Sequence, residues 1–178
     1  MIEVRWHGRG GQGAFTAARL LGAAAALYDH RHALAFPSFG PERRGAPVLA
    51  FTRIDERPVQ DRSPVRGCDW VVVLDDTLMT PAVVRGLRAG AVLVNTSSKA
   101  EQWSDLGVRV LTVDATQRST EVLGRPIVNT AMLAALVAVS GVVTKDAMLE
   151  ALASELRGRI AEKNGELARQ VYEEVSHA

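Results

Sequence analysis

Residues 7–13 read HGRGGQG, so Gly8, Gly10 and Gly13 stand in a G-x-G-x-x-G spacing between the apolar stretch MIEVRW and the alanine-rich AFTAARLLGAAAAL. A loop of this kind between strand and helix aims backbone N–H groups and a helix N-terminus at an anion. Arg9, Gly11 and Gln12 fill the positions between the glycines. A turn that only lets helix and strand pack closely uses the same residues. A nicotinamide or flavin dinucleotide needs a second feature, an acidic residue at the end of the second strand for the ribose hydroxyls. Asp29 has about the right offset from Gly8 but precedes that strand, which ends in Phe36-Pro37-Ser38. The loop therefore reads as an anion cradle that lacks the ribose half of a dinucleotide site.

The stretch FPSFGPERRGAP, residues 36–47, carries Ser38, Glu42, Arg43 and Arg44 between Pro37, Pro41 and Pro47. Neighbouring arginines grip phosphate or carboxylate with forked hydrogen bonds. Most arginines are simply solvated, but solvated arginines need no prolines to position them, and long irregular loops are usually functional. Further polar residues follow apolar runs: Asp75 and Asp76 after VVVL, Asn95 after AVLV, Asp114 after VLTV. In an open parallel sheet ligands gather at those strand ends. Asp and Asn also cap helices there. That reading is favoured for the three aspartates, because Thr77 and Ala115 begin helical turns, while Asn95 stays open between the two. His7 either faces a ligand beside the loop or closes the strand. Neither His7 nor His30, His32 and His177 pairs with Cys68 or with a serine at a nucleophile spacing such as G-x-S-x-G. No zinc spacing is present. No catalytic constellation is readable.

The elements that must position these residues alternate. Strands are expected at 2–6, 33–36, 48–54, 69–74, 91–95 and 108–113. Helices are expected at 14–28, 81–87, 127–140, 144–153 and 157–175, with Thr80 and Thr144 as N-caps and Gly141 as a stop. This order predicts an α/β, Rossmann-like three-layer domain over residues 1–178. It has a mainly parallel sheet, helices on both faces and a helical C-terminal third. The 48–54 strand follows a loop without a helix, so it is expected to pair antiparallel or to lie at an edge.

The totals narrow the classes. A chain of 178 residues with 47% hydrophobic residues supports a proper core. A net charge of +1 and 5% aromatics argue against nucleic acid, which calls for a basic field and stacking surfaces. One cysteine, Cys68, excludes an internal disulfide and cannot by itself hold an iron–sulfur cluster. No leader pattern opens the chain and no apolar stretch is long enough for a bilayer, so a cytoplasmic location without membrane contact is the expectation.

Taken in order, GRGGQG, PSFGPERRGAPV, VVVLDDTLM, VDAT, GRPIVNTAMLAAL and EKN resemble the gamma subunit of the 2-oxoacid:ferredoxin oxidoreductases, the family of pyruvate synthase and the branched-chain ketoisovalerate enzymes. The resemblance runs from Ile2 to about Val175. It implies a non-catalytic subunit of a complex that converts a 2-oxoacid, coenzyme A and oxidised ferredoxin into acyl-CoA, carbon dioxide and reduced ferredoxin. Thiamine diphosphate with magnesium and the iron–sulfur clusters are expected on alpha, beta and delta partners, and no cofactor on this chain alone. The glycine loop is expected to help hold coenzyme A, with Gly8, Arg9, Gly10, Gly11, Gln12, Gly13, Ser38, Arg43, Arg44 and Asn95 as the site. The carry-over also covers Phe39, Gly40, Pro41, Glu42, Asn129 and Thr130. Gln117 and Ala46 depart from the family pattern, where a more apolar residue and a glycine are expected. The isolated chain, its partner surfaces bare, is expected to be inactive and to form homodimers. A free-standing dinucleotide oxidoreductase and a pure assembly module are the alternatives.

Overall fold

The computed structural model describes residues 1–38, 44–88 and 90–177. Arg43 and the motif residues 39–42 lie outside them. In chain order the elements are β1 (Ile2–Arg9), α1 (Ala14–Ala23) with a π-helical continuation at Ala24–Tyr28, β2 (His32–Pro37), β3 (Pro47–Asp55), β4 (Trp70–Val73), α2 (Pro81–Val84), β5 (Val92–Asn95), β6 (Val110–Val113), α3 (Ala115–Leu123), α4 (Asn129–Ser140), α5 (Lys145–Glu155) and α6 (Gly158–Ser176). Short 3-10 turns at Asp76–Leu78 and Ala100–Leu106 complete the list. None of the described helices is long and apolar enough to cross a membrane.

The six strands form one sheet in the order β2-β3-β1-β4-β5-β6. β1, β4, β5 and β6 run parallel, and β3 pairs antiparallel with both β1 and β2. β3 is thus antiparallel as expected, but interior, between the first two strands. Arg53, a charged residue within this strand, is buried. Glu3 Oε1 accepts from Arg53 Nε at 2.8 Å, and the guanidinium lies 5.6 Å from the centre of the Phe36 ring. A charge supplied with a carboxylate and an aromatic face can be buried, so polarity in the sequence did not mean exposure.

The two faces are covered unequally. α1 and α4 bring Leu20, Leu21, Met132 and Leu136 against Val4, Trp6 and Leu93 on one face, and α6 packs Leu167 over α4. The other face, with Phe51, Val71, Val73, Val92 and Val94, is closed by shorter pieces that contribute Val65, Cys68, Val83 and Trp103. α4 is apolar all round because it lies between the sheet and α6, and nine of its residues are buried. Gly141 ends it in the left-handed conformation and Thr144 accepts from Ala147 N–H to start α5. Behind the glycine loop a buried relay fixes α1: Trp6 Nε1 donates to Thr52 Oγ1 at 3.1 Å, and Thr52 donates to the Ala18 carbonyl at 2.9 Å.

Candidate functional site

β1 runs on to Arg9, because β3 continues its ladder to the pair Arg9–Pro47. His7, Gly8 and Arg9 are therefore strand, and the loop proper is residues 10–13. Gly10 donates to the Ala46 carbonyl at 2.8 Å and accepts from Gly45 N–H at 3.1 Å. These bonds carry the second motif back to the first and set the exposed Arg44 beside Gly10. Ser38, at the end of β2, donates its N–H to the Leu49 carbonyl, two strands away from β1 along the same sheet edge.

The loop side chains are turned inward. Gln12 Oε1 accepts from Arg9 N–H at 2.7 Å, while its Nε2 donates to Asp75 Oδ2 at 3.1 Å. Arg9 donates to Asp75 Oδ2 at 2.9 Å, to Thr77 Oγ1 at 2.7 Å and to the Gly45 carbonyl at 3.2 Å. Partial burial pushes the Asp75 carboxyl up, but hydrogen bonds from Thr77, Gln12 and Arg9 outweigh it and hold Asp75 below its ordinary value. Arg9 and Gln12 thus lock the loop onto the end of β4.

Gly13 caps α1 at φ +81°, and a Cβ there would lie 2.7 Å from Asn129 Nδ2. The first turns of α1 and α4 meet at this contact, and neither helix has a side-chain cap. Gly11, at φ +95°, has open space where its Cβ would be. Gly11 is thus the loop glycine of this pair whose bare side faces outward.

Beside the loop lies a crevice of two lobes that share Gln12, Leu74, Asn95 and Thr116. The larger, about 450 Å³, is bordered by Asp75, Asp76 and Asp114, with no Lys or Arg among its described lining residues. The smaller, about 270 Å³, is neutral and lies between Gly11 and the segment 126–128. Asp75 and Asp114 cap local structure, accepting from Thr77 N–H and from Gln117 N–H at 2.9 Å, whereas Asp76 accepts from the Thr96 hydroxyl at 2.7 Å across to the end of β5. Asn95 forms the crevice floor. Its Nδ2 donates to the Leu74 carbonyl at 3.0 Å and its Oδ1 accepts from Thr116 N–H at 3.1 Å, so it ties β4 to α3 before it meets any ligand.

His7 points away from the crevice, into the more thinly covered face. Burial, reinforced by the Arg5 charge, pushes its imidazole down to about 3, and the neutral ring accepts from Arg5 Nε at 3.1 Å. Arg5 itself was not singled out in the sequence. Its buried guanidinium donates to the Val83 and Arg85 carbonyls at 2.7 and 2.9 Å and closes that face. Thr77, Thr116 and the segment 126–128 were also missed as site formers. The pairings D-x-T at 75–77 and D-x-T at 114–116 are the local signal that marks the two threonines.

The interior position of β3 decides the class. In a dinucleotide fold the second strand lies beside the first and presents the ribose-binding acid there. Here β3 fills that place, so the molecule is a Rossmann-like domain with a different strand order. A model of the pyruvate ferredoxin/flavodoxin oxidoreductase family matches residues 3–174, and the chain belongs to that family. It is 51% identical to a pyruvate synthase subunit PorC of Methanothermobacter thermautotrophicus, over 98% of this chain and 96% of the relative. It is 47% identical to a pyruvate/ketoisovalerate oxidoreductase common gamma subunit of Pyrococcus furiosus, over 98% and 97%. The crystal structure of the Thermotoga maritima pyruvate oxidoreductase subunit PORC superposes with a TM-score of 0.86 at 38% identity, covering 97% of this chain and 95% of that one.

Proposed function

We propose that this chain is the gamma subunit of a cytoplasmic, multi-subunit 2-oxoacid:ferredoxin oxidoreductase that forms acyl-CoA from pyruvate or a branched-chain 2-oxoacid. It acts there as one domain over residues 1–178. The observation that carries this reading is the end-to-end match, at 51% and 47% identity, to subunits of enzymes so named. Thiamine diphosphate, magnesium and the iron–sulfur clusters belong, on this reading, to alpha, beta and delta partners. One buried cysteine cannot supply the four thiolates that a cluster takes.

A phosphate-bearing part of coenzyme A is better suited to one lobe of the crevice than to the other. The acidic lobe repels phosphate. The neutral lobe lies at Gly11 between two helix N-termini that lack side-chain caps, the arrangement that favours an anion. In our reading the coenzyme meets the chain at Gly11, Gly13 and 126–128, with Arg44 beside the loop. Arg9, Gln12 and Asn95 shape the site from behind.

The test uses the assembled enzyme. A tagged chain is expected to capture its partner subunits, and the complex to reduce ferredoxin with pyruvate only when coenzyme A is added. Full turnover by the partners without this chain would refute the reading. The assembly-module alternative draws support from the inward commitment of Arg9, Gln12 and Asn95. It predicts that Gly11 variants assemble normally and leave the KM for coenzyme A unchanged.

A further inference from the structure

β6 is one of the two edges of the sheet, a four-residue strand without proline, lysine or bulge. Edge strands normally carry proline, lysine or a bulge that discourages pairing. β2 ends its edge at Pro37. β6 reads VLTV, with all four residues only half-buried. Its parallel ladder to β5 uses the Arg109 and Val113 carbonyls, which accept from Val92 and Thr96 N–H at 2.9 and 3.0 Å. In a parallel ladder the alternate residues point their N–H and C=O groups the other way, which leaves those of Val110 and Thr112 at the free edge. Along this edge runs a groove of about 440 Å³, floored by Leu93, Leu111, Val113, Val139 and Val175.

The charges at the groove select the occupant. Arg118 is paired with Glu174 at 2.8 Å and with Glu121 at 3.2 Å, and Asp114 caps α3. Arg109 lines the same groove and has no salt bridge among the described residues. A second copy does not answer it. Edge-to-edge pairing about a two-fold axis keeps the groove sides together, so residues opposite one another are both odd or both even in number. Arg109 then stands opposite Leu111, Val113 or Ala115 of the other copy, and the groove carboxylates nearby, Glu174 and Asp114, are already engaged by Arg118 and by Gln117 N–H.

We propose that the β6 edge receives an extended segment from another subunit of the oxidoreductase, apolar toward the groove and carrying Asp or Glu opposite Arg109. This rests on the proposed role as a subunit. Main-chain bonds to Val110 and Thr112 supply the affinity, and the groove and Arg109 supply the specificity.

Amide hydrogen exchange, resolved to single residues, tests it on the wild-type chain alone and in the captured complex. The Val110 and Thr112 amides are expected to exchange about 100-fold more slowly after assembly. Thr112→Pro removes only an outward N–H, so the variant is expected to keep its ladder to β5 and to bind its partners about tenfold more weakly, the equivalent of one main-chain hydrogen bond. Unchanged exchange at both amides in a complex that does assemble overturns the proposal and leaves the subunit role standing. Protection already present in a dimeric isolated chain assigns the edge to a second copy and also overturns it. A wild-type chain that captures no partner overturns both readings.

Discussion

Gly13→Ala separates the packing role of the loop from its ligand role. The backbone at Gly13 sits at φ +81°, and a side chain in the left-handed region costs about 1–2 kcal/mol. The new Cβ would also come within 2.7 Å of Asn129 Nδ2 and 3.1 Å of its Cγ. Asn129 is buried at the first turn of α4, so it has little room to retreat, and overpacking of this kind costs about 1–3 kcal/mol. Together these predict a loss of roughly 2–5 kcal/mol, a large share of the ~5–15 kcal/mol that holds a typical domain. In urea the midpoint should fall by roughly 1–2 M with an unchanged slope. The double variant Gly13→Ala/Asn129→Ala removes the close contact but keeps the backbone penalty. It should therefore show a favourable coupling of about 1–3 kcal/mol relative to the sum of the single changes. A single-variant loss below about 0.5 kcal/mol, or simple additivity in the double variant, would refute the reasoning.

Gly11→Asn meets open space, and asparagine bears a left-handed backbone better than other side chains do, so its urea midpoint should fall by clearly less than that of Gly13→Ala. Its KM for coenzyme A in the assembled enzyme should rise at least several-fold, and an unchanged KM would place the ligand elsewhere. Asn95→Ala leaves the Leu74 carbonyl and Thr116 N–H without partners. It should cost about 1–3 kcal/mol in thermal or urea unfolding of the isolated chain, and a neutral result would remove Asn95 as the tie between β4 and α3. His7 stays neutral in the folded chain down to about pH 3, whereas the unfolded chain protonates it below 6.5. The unfolded state thus binds the extra proton in that window. His7 costs no stability above pH 6.5 and about 1.4 kcal/mol per unit as pH falls toward 3. His7→Gln should reduce the loss between pH 7 and pH 5 by about 2 kcal/mol, read by urea unfolding at both values, and an identical slope would show that the imidazole is not held neutral.

Much of the fold was legible because its signals are local. The VVV run of β4, the Thr144 cap and the Gly141 stop each depend on residues within one turn or strand, and each appears where the pattern placed it. The aspartate caps were legible for the same reason, since Thr77 and Gln117 lie two and three positions beyond their acids. α3 was visible only as a helical turn at Ala115, because ATQRSTEVL is mostly polar, with Ala115, Val122 and Leu123 alone facing the core, and is held also by Asn95 and by Arg118 to Glu174. The interior place of β3 was illegible. It rests on Glu3 meeting Arg53, fifty positions apart in the chain.

The candidate site shows the same division more sharply. Glycine spacing located the loop, and the missing acid after the second strand argued against a dinucleotide, but neither told which glycine serves which neighbour. That assignment depends on Asn129, brought to Gly13 by the packing of α4 on α1. The arginine at position 9 has the chemistry to hold phosphate, and its spacing invites that reading. What decides otherwise is Asp75, sixty-six positions away, which engages the guanidinium at 2.9 Å. A charged side chain in a glycine loop is thus free for a ligand only if the end of the neighbouring strand carries no acid to take it. Here the strand after VVVL ends in two aspartates. On the proposed reading, an anion therefore meets the backbone of Gly11 and the uncapped starts of α1 and α4 rather than the guanidinium of the loop.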